Sequence, residues 1–191
     1  MTATRITATR SICVFCGART GVNPAYADAT RQVGQWLAQN GWRLVYGGGA
    51  GGLMGILADS VLEAGGEVLG IIPQALVHLE HAHQGLNELV VVDTMHQRKA
   101  RMAQESAAYL SLAGGIGTLE EMAEMWTLNV LGYQNKPMGI LNTAGYYDDY
   151  LRYLARMQAE GFAGQQHLAR LRVGTEPRAA LEDLVAQIGQ I

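Results

Sequence analysis

The sequence predicts one α/β domain: a Rossmann-like, doubly wound parallel sheet flanked by helices. Three observations carry that expectation. Short apolar runs rich in β-branched residues alternate with longer stretches of helical period, the pattern of a parallel sheet covered on both faces. The 24 glycines gather at the ends of those runs, which suits tight turns and close approach of backbone to a ligand. At 191 residues, with 49% hydrophobic and 16% charged side chains, the chain can bury one sizeable core and is too short for two.

Residues 1–10 (MTATRITATR) carry no apolar stretch and read as a disordered polar extension, leaving 11–191 as the single domain. The first strand is expected at 11–17 (SICVFCG). A helix follows, opened by Asn23 as N-cap with Pro24 in its first turn and closed near Asn40-Gly41. Residues 42–48 (WRLVYGG) form the second strand and about 52–64 the second helix. Strands at 67–73 (EVLGIIP) and 88–93 (ELVVVD) come next. A helix then starts at Thr94, where Thr94-x-x-Gln97 is a capping box. AYLSLAGG (108–115) is a strand with its loop, and a further helix starts from Thr118. Residues 136–142 (KPMGILN) lead to a helix from about Gly145, a short strand at 171–174 (LRVG) and a last helix from Pro177. Gln74 to Asn87 has no clear pattern and reads as a short helix plus a lid.

The formal charge of −3 provides no basic field, which argues against nucleic acid as the main partner. No run approaches the roughly 18 apolar residues of a membrane span. Cys13 and Cys16 form a C-x-x-C, but within an apolar strand rather than in the turn that opens a helix. They read as two reduced structural thiols in a cytoplasmic protein.

Two glycine loops follow strands, and in such sheets the ligand lies beyond the strands' carboxyl ends. The first, 47–55 (GGGAGGLMG), contains G-x-G-x-x-G as Gly47, Gly49 and Gly52. A dinucleotide site also wants an acidic residue ending the next strand, which here ends in Ile71-Ile72-Pro73, so NAD is disfavoured. The loop is either a tight strand-to-helix turn or a turn that also lines a ligand site. The second is Gly114-Gly115-Ile116-Gly117-Thr118. Glycines let backbone N–H groups converge, and the helix end adds unpaired donors and a positive dipole, a combination that favours phosphate. Thr118 is followed by Leu119 without the Walker lysine, so a triphosphate-hydrolysing P-loop is not expected. Thr118-x-x-Glu121 also fits a capping box. As a ligand group, Glu121 would lie roughly 4–5 Å of helical rise beyond the cradle, about the reach from a 5′-phosphate to the anomeric carbon of its ribose.

In the helix from Thr94, Arg98 shares a stripe with Met95 and Met102, where an arginine needs either a carboxylate of this chain or a bound anion. Lys99 and Arg101 read as solvated. His78, His81 and His83 lack a zinc-ligand pattern, and no metal site is expected. Asp148-Asp149 early in a helix suits the helix dipole.

With these residues in place, MHQRKARMA (95–103) followed by AGGIGTLEE (113–121) closely resembles the paired signature of the LONELY GUY (LOG) family. The similarity extends over VFCG (14–17), NPAY (23–26), LVYGGGAGGLMG (44–55), KPMGILNTAGYYD (136–148) and EGF (160–162). Members are cytokinin riboside 5′-monophosphate phosphoribohydrolases, often labelled "lysine decarboxylase-like". The resemblance implies hydrolysis of the N-glycosidic bond of a purine nucleoside 5′-monophosphate such as AMP. It implies Arg98 and Glu121 as the catalytic pair. The implied substrate contacts are Glu80, Lys99, Gly114, Gly115, Ile116, Gly117, Thr118, Leu119, Glu120 and Thr127. It further implies a cytosolic homodimer without an organic cofactor. The helix holding Met122, Met125, Trp126, Leu128 and Leu131 suits a dimer face, as it would a buried core face. Glu121 is left as charge stabiliser, general base or nucleophile.

Two positions depart from the family pattern. Ala113 stands where the loop usually opens with proline, a loss of pre-organisation of ~0.5–1 kcal/mol. Ala18-Arg19 stands where many relatives carry serines. Two rival functions use the same fold: a non-catalytic nucleotide or molybdenum cofactor carrier, which needs the anion loops but not the Arg98–Glu121 pair, and an amino-acid decarboxylase. The second needs pyridoxal phosphate on a lysine, and the chain offers only Lys99 and Lys136.

Overall fold

The computed structural model describes residues 10–79 and 81–189. Strands β1 (Ser11–Phe15), β2 (Arg43–Tyr46), β3 (Val68–Pro73), β4 (Glu88–Val92), β5 (Ala108–Ser111), β6 (Met138–Leu141) and β7 (Leu171–Gly174) form one sheet. Its order is β4-β3-β2-β1-β5-β6-β7, and every pairing is parallel. The predicted α/β class and all seven strands are present; β7 has the predicted bounds and the other six are trimmed to shorter spans. The helices are α1 (Pro24–Gln39), α2 (Gly52–Glu63), α3 (Met95–Glu105), α4 (Ile116–Val130), α5 (Asp148–Ala159), α6 (Gln165–Leu168) and α7 (Pro177–Ala186). The four-residue α6 has no counterpart in the sequence reading.

Alternation along β1 sorts the core into two layers. Ile12 and Val14 pack with Val33 of α1, Leu57 of α2 and Leu181 of α7, while Cys13 and Phe15 pack with Met102 of α3, Met122 of α4 and Leu154 of α5. Strands buried on both faces explain why their runs are continuously apolar rather than alternating. The two cysteines therefore lie in opposite layers as free, buried thiols. Burial pushes both thiols well above their ordinary pKa, and the Glu121 charge adds to the shift.

Local signals behave as their chemistry dictates. Asn23 Oδ1 accepts from the Ala25 N–H at 3.0 Å, capping α1. Thr94 and Gln97 exchange side-chain and backbone bonds as a capping box at α3. Asp148 and Asp149 occupy the first turn of α5, which starts later than expected because residues 143–145 form a 3-10 turn with Ala144 at φ +52°. The segment after β3 contains a short 3-10 helix, Gln74–Leu76, and then docks on the first glycine loop. There Ala50 donates to the His81 carbonyl and His83 to the Gly48 carbonyl, both at 2.9 Å. Of the predicted polar extension, Arg10 is described: it donates to the Asn40 carbonyl and lies over Trp42. The rest falls outside the described residues, as do residues 190–191. Among the described residues, no helix is long and apolar enough to cross a membrane.

The chain runs outward from β1 through β2, β3 and β4, then returns to β5 on the other side of β1. Beyond Phe15 and Ser111 the two strand ends feed different loops, and the parting between them is the topological switch point where ligands bind in such sheets. One backbone bond closes it, from the Gly17 N–H to the Ala113 carbonyl at 3.0 Å.

Two outcomes test this packing. Gly52 has φ +59°, and a Cβ there would overlap the Ala18–Arg19 backbone, whereas a Cβ at Gly65 (φ +77°) meets nothing. Gly52→Ala is expected to cost at least ~3 kcal/mol and lower Tm by roughly 6–12 °C. Gly65→Ala should cost only about 1–2 kcal/mol. Second, neither thiol should react with an alkylating reagent at pH 8 until the protein is unfolded.

Candidate active site

Helices α2 and α4 both begin at the carboxyl edge of the sheet, beside the switch point, and their amino ends are used differently. At α2, the N–H groups of Leu53 and Met54 donate to the Gly17 carbonyl at 3.0 and 3.3 Å. That end is spent on the loop after β1. At α4 the N-cap is Gly115, extended at φ −89° and ψ −157°, with no side-chain cap. The helix ladder begins with Leu119 N–H to the Gly115 carbonyl at 3.2 Å, so the amides of Ile116, Gly117 and Thr118 have no partner within the helix. Of the two loops, the second is the one that keeps its amides and the positive end of its dipole available to an anion.

The helix starts two residues earlier than Thr118, which corrects the capping-box reading. Gly115 supplies the extended N-cap, so the first turn winds through Ile116 and Gly117. Thr118 becomes its third residue and is buried. Gly114 must lack a Cβ, because one would overlap the Thr118 hydroxyl. Glu121 is thereby moved into the second turn, roughly 7–8 Å of rise above Ile116.

Glu121 and Arg98 line one cavity of about 210 Å³, together with Cys16, Met54, Leu76, Met95 and residues of the α4 start. Arg98, on α3, is only 4% exposed. Its Nη2 donates to the Gly47 carbonyl at 3.0 Å, and Nη1 lies 3.8 Å from the Met95 sulfur. The first glycine loop thus has its part: glycines 47–52 do not line the cavity, but Gly47 holds the arginine that does. A second cavity, of about 370 Å³, shares Ala18 and Gly115 with the first and runs along Arg19, Tyr26, Leu53 and Tyr146. Taken together, the two cavities fall within the ~300–1,000 Å³ range of small-molecule sites.

Lys99 is the clearest correction to the helical-stripe reading. It is 5% exposed, not solvated, and its ammonium lies between the carboxylates of Glu120 and Glu124 on α4. Burial by itself would lower its pKa; the two carboxylates outweigh it and hold the group above its usual value. Arg101 is solvated as expected and pairs with Glu105 at 2.8 Å. Met122 and Met125 belong to the core, with Trp126 and Leu128 packed against it, so most of the apolar face of α4 is a core face. Leu119 likewise packs inward and Ile116 is exposed. Thr127 is exposed, its hydroxyl bonded to the Ala123 carbonyl, and it lines neither cavity. Glu80 lies outside the described residues. His83 pairs with Asp59 at 2.9 Å, and no group of three or more potential metal ligands exists among the described residues. Sequence reasoning quoted the tyrosines 26 and 146 within the segments NPAY and GYYD but gave them no site role, because they reach the site only through tertiary packing.

The family described as "Possible lysine decarboxylase" matches residues 54–184. A probable cytokinin riboside 5′-monophosphate phosphoribohydrolase of Oryza sativa subsp. japonica is 48% identical over 151 residues, 79% of this chain and 68% of the relative. Two cytokinin riboside 5′-monophosphate phosphoribohydrolases of Arabidopsis thaliana are 42% identical over 170 residues (89% of this chain, 79% of the relative) and 41% over 179 (94% and 81%).

This chain belongs to the LOG family.

Solved structures share the LOG chain's fold at lower identity. The molybdenum cofactor binding protein from Rippkaea orientalis superposes with a TM-score of 0.72 at 22% identity, covering 93% of this chain and 96% of that one. The molybdenum cofactor carrier protein from Chlamydomonas reinhardtii gives 0.68 at 22%, covering 92% and 98%. The decarboxylase description does not fit the lysines of this LOG member. Lys99 is held by two carboxylates, and the Lys136 ammonium donates to the Ala103 and Ser106 carbonyls, closing the last turn of α3. Burial lowers the pKa of Lys136, but its amine is committed to those carbonyls rather than presented to a cofactor.

The Gly47–Arg98 contact yields a separable test. A Cβ at Gly47 would overlap the far end of the Arg98 side chain, a displacement the flexible side chain can make without backbone change. Gly47→Ala should fold normally and lose ~10²-fold or more in turnover, the scale expected when a side chain lining the cavity is displaced by about 1 Å. Circular dichroism and steady-state kinetics on the same preparation check both halves.

Proposed function

We propose that this protein hydrolyses the N-glycosidic bond of purine nucleoside 5′-monophosphates, AMP and isopentenyladenosine monophosphate among them, to free base and ribose 5-phosphate. The observation that carries the reading is the meeting of Arg98 and Glu121, from different helices, in one cavity with the open amino end of α4. The phosphate sits on the amides of Ile116, Gly117 and Thr118. The ribose then lies along the second turn of α4, with its anomeric carbon at Glu121. Cleavage of C1′–N9 builds positive charge on the sugar, which a carboxylate stabilises. Water supplies the oxygen that bonds C1′, and its proton balance closes on the departing base. Arg98 holds the phosphate or orients the carboxylate. Lys99 acts indirectly in this reading: bound to Glu120 and Glu124, it fixes α4 against α3 and so sets Glu121 opposite Arg98.

The working unit in this reading is a homodimer in a reducing compartment such as the cytoplasm. Large apolar side chains stand exposed at both ends of α4, with Ile116 at 84%, Leu131 at 63% and Tyr133 at 79%. Thr127 is carried on the same helix, away from its own chain's cavity, and serves at that subunit contact. Sedimentation at micromolar concentration should give a dimer mass; a monomer that retains full activity would remove this part of the reading.

The activity is tested by incubating the protein with each monophosphate and following released base by chromatography. Glu121→Gln should bind AMP nearly as well as the parent and turn over ~10²-fold or more slowly, as for loss of a general base or nucleophile. No base released from any nucleoside monophosphate would favour the carrier function; unchanged turnover in Glu121→Gln would sink the mechanism.

A further inference from the structure

Three successive carbonyls lead into the α4 amino end, and each is held by a group from outside the loop. The Leu112 carbonyl accepts from the Tyr147 hydroxyl at 2.6 Å, and the Ala113 carbonyl accepts from the Gly17 N–H at 3.0 Å. The Gly114 carbonyl accepts from the Tyr146 hydroxyl. In a trans peptide the C=O and N–H of one plane point in opposite directions. A carbonyl turned to Tyr146 therefore sends the Gly115 N–H to the other side of the loop. Tyr146 and Gly114 line the larger cavity only, whereas Gly115 also lines the cavity of Arg98 and Glu121. Gly115 thus stands between the two cavities, with its N–H on the side away from Tyr146.

Nothing within the loop enforces that orientation. The peptide lies between two glycines, neither of which has a Cβ to resist its rotation. Tyr146 itself is well placed to enforce it. Its ring meets those of Tyr26 (5.4 Å) and Tyr147 (5.0 Å) edge-on, so the hydroxyl is delivered by a braced side chain.

We propose that Tyr146 is a positioning residue for phosphate binding, orienting the Gly114–Gly115 peptide so that its N–H adds a donor to the α4 cradle. It acts through the backbone and does not touch the reacting atoms. The inference rests on the phosphate reading of that cradle.

Tyr146→Phe keeps the ring and its neighbours and removes the one hydroxyl. With AMP as substrate, KM should rise about tenfold, equivalent to ~1.4 kcal/mol of binding, while kcat stays within about twofold. The inhibition constant of ribose 5-phosphate should rise by the same factor and that of adenine should not change. Equal weakening of both inhibitors, or a loss confined to kcat, would mean general damage to the site and overturn the proposal. Unchanged ribose 5-phosphate inhibition in the variant would overturn it as well. Failure of ribose 5-phosphate to inhibit the parent protein would instead remove the phosphate reading beneath it. Direct binding of ribose 5-phosphate by calorimetry gives the same comparison should the variant have lost activity, with the adenine titration as its control.

Discussion

Two adjacent cations, Arg98 and Lys99, are buried on α3, and much of the site's geometry follows from satisfying them. A buried charge left uncompensated costs several kcal/mol, so the surrounding elements have to bring it oxygens. The β2–α2 loop brings the Gly47 carbonyl to Arg98, and α4 brings Glu120 and Glu124 to Lys99. These bonds tie together the first glycine loop, α3 and the first turns of α4. They fix Glu121 and the open amino end of α4 relative to Arg98. Removing one partner would cost more than its own bond, because it would strand a charge.

The parting of β1 and β5 explains why Arg98 faces a cavity rather than solid core. Parallel strands bring both following loops to one edge, and glycines let them approach until Gly17 and Ala113 share a backbone bond. The two helix amino ends there divide the work. One is closed by the Gly17 carbonyl and is structural; the other has no side-chain cap and lines the cavity of Arg98 and Glu121. Both lysines of the chain are engaged elsewhere, Lys99 by Glu120 and Glu124 and Lys136 by the Ala103 and Ser106 carbonyls.

Much of the site was legible before any coordinates. The strands are continuous apolar runs because they are buried on both faces, and the caps at Asn23 and Thr94 are local chemistry that tertiary contacts leave alone. Arg98 was legible for a related reason: an arginine on a methionine stripe cannot be solvated. Lys99 misled because the α3 period places it beside the solvent face. What covers it is a helix twenty residues further on, which no local pattern reveals. The start of α4 was misplaced for the opposite reason. Thr118 and Glu121 form a valid capping signal, overridden because Gly115 can serve as an extended N-cap and shift the first turn by three residues.

By itself, then, the sequence determined the α/β class, the order of the strands and of every helix but α6, and the two glycine loops. The motif pair at 95–103 and 113–121 named the family. All of these are properties of short segments, where period, cap chemistry and missing Cβ atoms act over a few residues. Only the tertiary structure decided which loop is left open, that Gly47 holds Arg98, that Lys99 is clamped by α4, and that Tyr146 reaches back to Gly114. Those depend on where a parallel sheet sets segments 21 to 51 residues apart in sequence beside one another. The chain carries no local mark of such neighbours, because the contact energy exists only once the sheet has formed.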